Sequence, residues 1–227
     1  MAVTVRGTDI LFNDGTTQST AASASTYVGD RAQIYSTAGS YTFTIPAGVT
    51  SLKLTVVGGG GGSGPTAGGD QGGGNGAGGG AAISYLTGLT PGNTIAVTVG
   101  AAGTAGVWPS TNGGTGGTSS ASSGTQTITT MSATGGAGGT VTGFTTPNLG
   151  GVGSGGTINM RGSPGFFAGS LMQGGSSALA LGPAVRAYTN SNSIAGTFGC
   201  GSVGGWEGGS TVRNGSVGGA GVVMFEW

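Results

Sequence analysis

The chain has 227 residues, of which 57 are glycine, while only 5% are charged and the formal net charge is zero. With Lys+Arg at 6 there is no basic footprint for nucleic acid, and the low charge is the opposite of what accompanies disorder. The absence of histidine excludes Ser-His-Asp and Cys-His catalysis, and a single cysteine, Cys200, excludes an intrachain disulfide framework.

Further classes fall away on motif grounds. No apolar run approaches the roughly 20 residues of a membrane-spanning helix, so no membrane insertion is expected. The N-terminus lacks the apolar stretch of a signal peptide, which points to synthesis in a cytoplasm and exit, if any, by another route than secretion. Collagen is excluded because there is no long G-X-Y frame. The acidic residues are scattered, with no glycosidase-type pair and no metal-ligand cluster, and no GK[ST] follows any glycine run. The expectation is a protein that is not an enzyme and needs no metal and no cofactor, with Cys200 as a buried small hydrophobe.

Residues 1–37 form a first region. AVTVR and DILF are short strand candidates, Asn13-Asp14-Gly15 is a turn signal, and the polar stretch after it cannot bury a core of its own. Such a segment gains order from a partner chain or a docking surface, so it is assigned to attachment or trimerisation.

Residues 38–227 form the main domain. Tyr41, Phe43 and Ile45 alternate with threonines, and Leu52, Leu54 and Val56 alternate with Ser51, Lys53 and Thr55. Period two predicts strands with one face buried and one wet. Pro46-Ala47-Gly48 reads as the turn of a strand pair. Residues 81–86 and 94–99 read as two more strands joined in hairpin fashion through Pro91-Gly92, and Gly221–Trp227 as a last one. The predicted fold is all-β, an antiparallel β-sandwich with Phe43, Leu54, Val97 and Phe225 in its core, framing a glycine-rich insertion over residues 101–220.

The glycines have a pattern of their own. Gly58–Gly80 interrupts the strands, and pairs recur to the C-terminus, as in GGTGGT over 113–118 and GGAGGT over 135–140. Three residues is the turn of a polyproline-II-type helix, and side-chain-free helices of this kind can pack backbone to backbone. A bundle of polyglycine-II helices is expected. Between the glycine pairs stand isolated large residues. Trp108, Phe166, Phe167, Tyr188 and Trp206 are candidates to stack on sugar faces or fill apolar pockets, and Arg161 and Arg186 to fork onto an acidic group.

Four segments carry a family resemblance. Ser40–Val49 (SYTFTIPAGV), Leu52–Val57 with the glycine block, and the ending Gly218–Trp227 resemble the borders of the glycine-rich domain of bacteriophage tail-fibre and tail-tip proteins. Asp9–Gln18 is similar to a segment near the start of phage tail-fibre proteins. The resemblance implies a virion location, frequent homotrimerisation and adhesion to a host receptor, either a surface glycan or an outer-membrane protein. It also implies contact with other virion tail proteins, here assigned to residues 1–37. The expected function is non-catalytic host attachment through loops in residues 107–206. The alternative is a purely structural fibre or baseplate part that touches no host. A glycine-helix ice-binding protein fits less well, since long regular repeats are missing.

Overall fold

The computed structural model describes residues 4–6, 9–11, 17–18, 31–66, 71–141, 148–168, 171–186, 193–207 and 212–227. The chain divides into two compact units, Met1–Arg31 and Ala32–Trp227. In the first, β1 (Thr4–Arg6), β2 (Asp9–Leu11) and β3 (Thr17–Gln18) form an antiparallel sheet in that order.

The second unit is all-β and antiparallel, with no helix among its described residues. One five-stranded sheet has the order β12-β11-β10-β9-β5, built from β5 (Gly39–Thr44), β9 (Thr94–Val99), β10 (Ser119–Ser123), β11 (Met131–Ala133) and β12 (Gly153–Ser154). The other has the order β13-β8-β6-β18-β4, built from β4 (Ala32–Tyr35), β6 (Ser51–Val57), β8 (Ala81–Thr87), β13 (Ile158–Met160) and β18 (Val222–Glu226). Smaller sheets join β14 (Phe166–Ala168), β15 (Leu171–Gln173) and β16 (Ala184–Arg186), and β7 (Gln71–Gly72) with β17 (Trp206–Glu207).

The two large sheets share one apolar core. Phe43, Ile95 and Val97 from one and Leu54, Val56 and Phe225 from the other are buried in a single cluster. Phe43 and Phe225 stack with centroids 3.9 Å apart and planes at 6°. Each such side chain contributes about 1.5–3 kcal/mol when fully buried. Alternation therefore placed Phe43, Leu54, Val97 and Phe225 correctly.

Pairing departs from the local turn signals. β5 and β6 do not pair with each other: β5 pairs with β9, and β6 lies between β8 and β18. Nor do β8 and β9 form a hairpin; they belong to different sheets. Both connections cross between the sheets, which lets the apolar stripes of consecutive strands face each other across the core. The expected wet face of β6 also ends early. Lys53 meets Glu226 there at 2.9 Å, but Thr55 and Val57 are buried, and Val57 packs with Ala81 and Val222. The Glu226 carboxylate, by hydrogen bond and then by charge, holds Lys53 above the usual 10.5. The pair therefore contributes fully below that pH and is lost only as pH rises through the raised value. Both side chains are about a third exposed, so its contribution is small.

The glycine segments form an ordered hydrogen-bonded array. N–H groups of Gly58, Gly61 and Gly64 donate to Gly80, Ala77 and Gly74; those of Gly59 and Gly62 donate to Gly117 and Gly114; those of Gly60 and Ser63 donate to Gly219 and Ser216, all at 2.8–3.0 Å. Donation thus returns to the same neighbour every third residue. The carbonyls follow suit: Gly59 and Gly62 accept from Gly136 and Gly139, Gly60 and Ser63 from Gly103 and Gly106, and Gly61 from Ser202. The returning segment repeats the pattern, with Gly74, Ala77 and Gly80 donating to Thr140, Ala137 and Thr134, and Gly73, Gly76 and Gly79 to Gly205, Ser202 and Gly199.

Around these two inner segments the outer ones bond to one another in a closed circuit. It runs from 100–106 to 113–117, 134–140, 149–152, 162–163, 174–176, 199–203 and 215–221, and back to 100–106. Side chains are excluded by proximity. A Cβ at Gly60 would run into the Cys200 carbonyl, and one at Gly76 into that of Gly61. The few inner polar side chains are bonded: Ser63 Oγ accepts the Ser216 N–H at 2.8 Å, and Ser202 Oγ donates to the Ser216 carbonyl at 2.7 Å. Glycine loses more backbone entropy on ordering than any other residue and buries no side chain in return, while each hydrogen bond nets only about 0.5–1.5 kcal/mol. The array is held in line because its segments continue sheet strands. β6 runs into Gly58, Gly80 into β8, β9 into Gly100, and Gly221 into β18.

Candidate functional site

The inner segments leave the sheets at Gly58 and Gly80 and approach their far end at Gly64 and Gly74. Asn75, only 6% exposed, sits in that far half and fastens three other segments. Its side-chain amide donates to the Phe166 carbonyl at 2.8 Å, its Oδ1 accepts the Gly204 N–H at 2.8 Å, and its carbonyl accepts from the Asn148 side chain at 2.7 Å. The small sheet β14–β15–β16 is thereby fixed to the array by one of its strands.

Register then decides what each residue of that sheet does. Phe167, Met172 and Val185 stand in one row across the three strands. They pack against Val203 and Trp206, and the Phe167 and Trp206 rings stack with centroids 6.2 Å apart and planes at 7°. Successive residues of a strand point to opposite faces, so the flanking rows belong to the other side. There Phe166 stands opposite Gln173, and Leu171 opposite Arg186. Phe166 is 43% exposed and Leu171 40%.

Of the residues singled out from sequence, the structure gathers Phe166, Phe167, Arg186 and Trp206 at this sheet, in different roles. Trp206 is 3% exposed, which corrects its reading as a surface contact: buried beneath the sheet, its ring holds the sheet in place. Phe167 is half-buried against it. Of Arg186 the backbone alone is described, in register with Leu171. Tyr188 lies outside the described residues. Trp108 lies elsewhere, half-buried in the turn 107–111, where its backbone N–H donates to Asn214 Oδ1 at 3.2 Å. Arg161 follows directly on β13 at the sheet end of the array, and its guanidinium donates to the Gly150 carbonyl at 3.0 Å. It does not join the Phe166 face.

Leu171, Met172 and Asn75 were missed. The pattern Phe166-Phe167-Ala168, then Gly169-Ser170, then Leu171-Met172-Gln173 is a hairpin signal that would have found the first two. Asn75 is a lone amide within glycines, and only the fold gives it meaning. Among the described residues no three His, Cys, Asp or Glu are grouped to hold a metal ion, and no described helix is long and apolar enough to cross a membrane. The outer face of the small sheet thus carries one aromatic and one aliphatic side chain, both partly exposed.

Comparison with curated proteins returns no match. The model of the glycine-rich domain family matches residues 36–227, which take in both large sheets except the edge strand β4, the whole glycine array and the Phe166 sheet, and the chain belongs to that family.

Proposed function

We propose that this protein is a non-catalytic adhesin of a bacteriophage tail fibre or tail tip. Its two large sheets form a β-sandwich and its array is a bundle of polyglycine-II helices. The return of hydrogen bonds to the same neighbour every third residue supports that last reading. The segment ahead of β4, residues 1–31, attaches the domain to other tail proteins, and three copies assemble in the virion. The bundle holds the sheet β14–β15–β16 rigid and presents it to a receptor at the host surface, a glycan or an outer-membrane protein. A scaffold with few rotamers loses little entropy on binding, so its contacts are preorganised.

One observation carries the reading. Phe166 and Leu171 stay exposed on one side of a sheet whose other side is locked by Met172, Phe167 and Trp206. A purely structural tail part has no need of such a face. The test is binding of the purified, labelled full chain to bacterial strains, before and after removal of surface glycans. Saturable binding to a host strain is expected. The double variant Phe166→Ala, Leu171→Ala should weaken it by about tenfold or more, the worth of an aromatic anchor, with the melting temperature unchanged. Loss on glycan removal identifies a glycan receptor and retention an outer-membrane protein. Undiminished binding by the double variant would remove the site. Binding to no host strain would leave the structural tail part as the better reading.

A further inference from the structure

The sheet β13-β8-β6-β18-β4 is apolar on the side turned away from the core. Successive residues of a strand point to opposite sides, so with Leu54 and Val56 in the core, Thr55 and Val57 face outward. Register then sets one outward row across all five strands: Ile158, Ile83, Thr55, Met224 and Ile34. Ile158 is 54% exposed and Ile34 55%, with Ile83 and Met224 half-buried between them. The next outward row holds the exposed Tyr85 beside the paired Lys53 and Glu226.

A tight turn stands on the same side at the array end. It closes with the Cys200 N–H on the Thr197 carbonyl at 2.8 Å, and φ is +42° at Phe198 and +79° at Gly199. A Cβ on Gly199 would come within 2.8 Å of Val57 Cγ1, so the turn lies over the outward row of Ala81, Val57 and Val222. Ser177 Oγ donates to the Phe198 carbonyl at 2.7 Å and Cys200 Sγ to the Ala180 carbonyl at 3.0 Å, which ties the loop 177–180, with its exposed Leu179, to the turn. Positive φ at both central residues is the type I′ pattern, which favours Asn-Gly. A bulky side chain is strained there, and such strain marks sites of function. Phe198 remains 55% exposed, so burial within its own chain does not account for it.

We infer that this face binds a second copy of the chain, the flat row of one copy taking the Phe198 turn of the next. The exposed parts of Ile34, Tyr85, Ile158, Leu179 and Phe198 amount to on the order of 600 Å², the upper end for the largest apolar patch of a monomer. With the half-buried Ile83, Met160 and Met224 the face approaches the roughly 800 Å² that one partner gives to a stable interface. A flat part and a projecting part on one surface suit a head-to-tail contact, which can close into a ring. Lys53 and Glu226 neutralise each other, so copies meet here without like-charge repulsion. The first unit, assigned to attachment or trimerisation, ends at Arg31, and β4 starts on the next residue. Gathering copies by that unit brings their Ile34 side chains within reach of one another. The number of copies, three, rests on the proposed function; the surface does not.

Sedimentation velocity of the full chain over a dilution series tests this. The unaltered chain should sediment as three copies. Ile34→Glu and Phe198→Asn should each raise the concentration of half-assembly by at least about tenfold, the worth of a contact at the centre of an interface. Their circular dichroism should stay unchanged, since Ile34 is on an exposed side and Asn-Gly suits the turn. Leu149→Asn, at a residue equally exposed but in the outer circuit of the array, should leave assembly unaltered. An unaltered chain that is monomeric at every concentration, or assembly at full strength in both face variants, would overturn the inference. A monomer that still binds a host strain leaves the adhesin reading in place, whereas an assembly that binds none removes that reading and not this one.

Discussion

Gly60→Ala will lower the stability of this protein by more than about 3 kcal/mol, although glycine-to-alanine changes ordinarily stabilise by restricting the unfolded chain, by about 0.4–1 kcal/mol. The added methyl would occupy the space of the Cys200 carbonyl and crowd the next peptide group. Gly60 cannot move aside, because its N–H is bound to Gly219 and its carbonyl to Gly103. Shifting one inner segment disturbs each of its neighbours. The melting temperature should fall by at least about 6–12 °C for a domain of this size. Gly48→Ala is the comparator: φ there is +79° and nothing lies within 4 Å, so the change costs only the left-handed backbone, about 1–2 kcal/mol. A melting temperature that stays level or rises in Gly60→Ala would show that the segment is not packed.

Trp206→Ala should have the second-largest effect, felt first at the Phe166 sheet. Removing a buried tryptophan costs about 3–5 kcal/mol, and here it also removes the ring on which Phe167 stacks. The expected outcome is accelerated tryptic cleavage at Arg186 and loss of most of the proposed receptor binding, though Trp206 itself offers no surface to a ligand. Trp206→Phe keeps a ring in the cluster and should restore part of both. Full binding by the alanine variant would mean that the exposed face does not depend on the buried one.

Much of the sheet core was legible because large apolar residues alternate with small polar ones. Phe43 in β5 and Leu54 in β6 announce their faces without any knowledge of their partners. β10 and β11 follow the same rule in an alphabet too small to notice. Ala121, Met131 and Ala133 point inward and are buried, while Ser120 and Ser132 alternate with them. Strand partners were not legible at all, since Pro46-Ala47-Gly48 says that the chain turns and not which sheet it enters. Ala32–Tyr35, in a polar region, becomes a strand only because β18 has a free edge beside it.

The glycine array was legible through its period of three, visible in GGTGGT and realised in the N–H directions of Gly58, Gly61 and Gly64. Within the candidate site, composition alone could not separate Phe166 from Trp206. Both are aromatic and both follow glycine. What divides them is the register of β14 on β15 and the packing of that sheet over Trp206, and both are long-range facts.

Amide hydrogen exchange, resolved by residue, is the direct measurement of whether the glycine run is scaffold or tether. Amides of Gly59 to Gly62 and of Gly76, Gly78 and Gly79 should exchange as slowly as those of Leu54 and Val56 in β6, opening only with global unfolding. They have no side chain to shield them, so such protection can come only from the hydrogen bonds between segments. Exchange of these glycines at the rate of a free peptide, while β6 stays protected, would contradict the ordered array and leave the Phe166 sheet without its support.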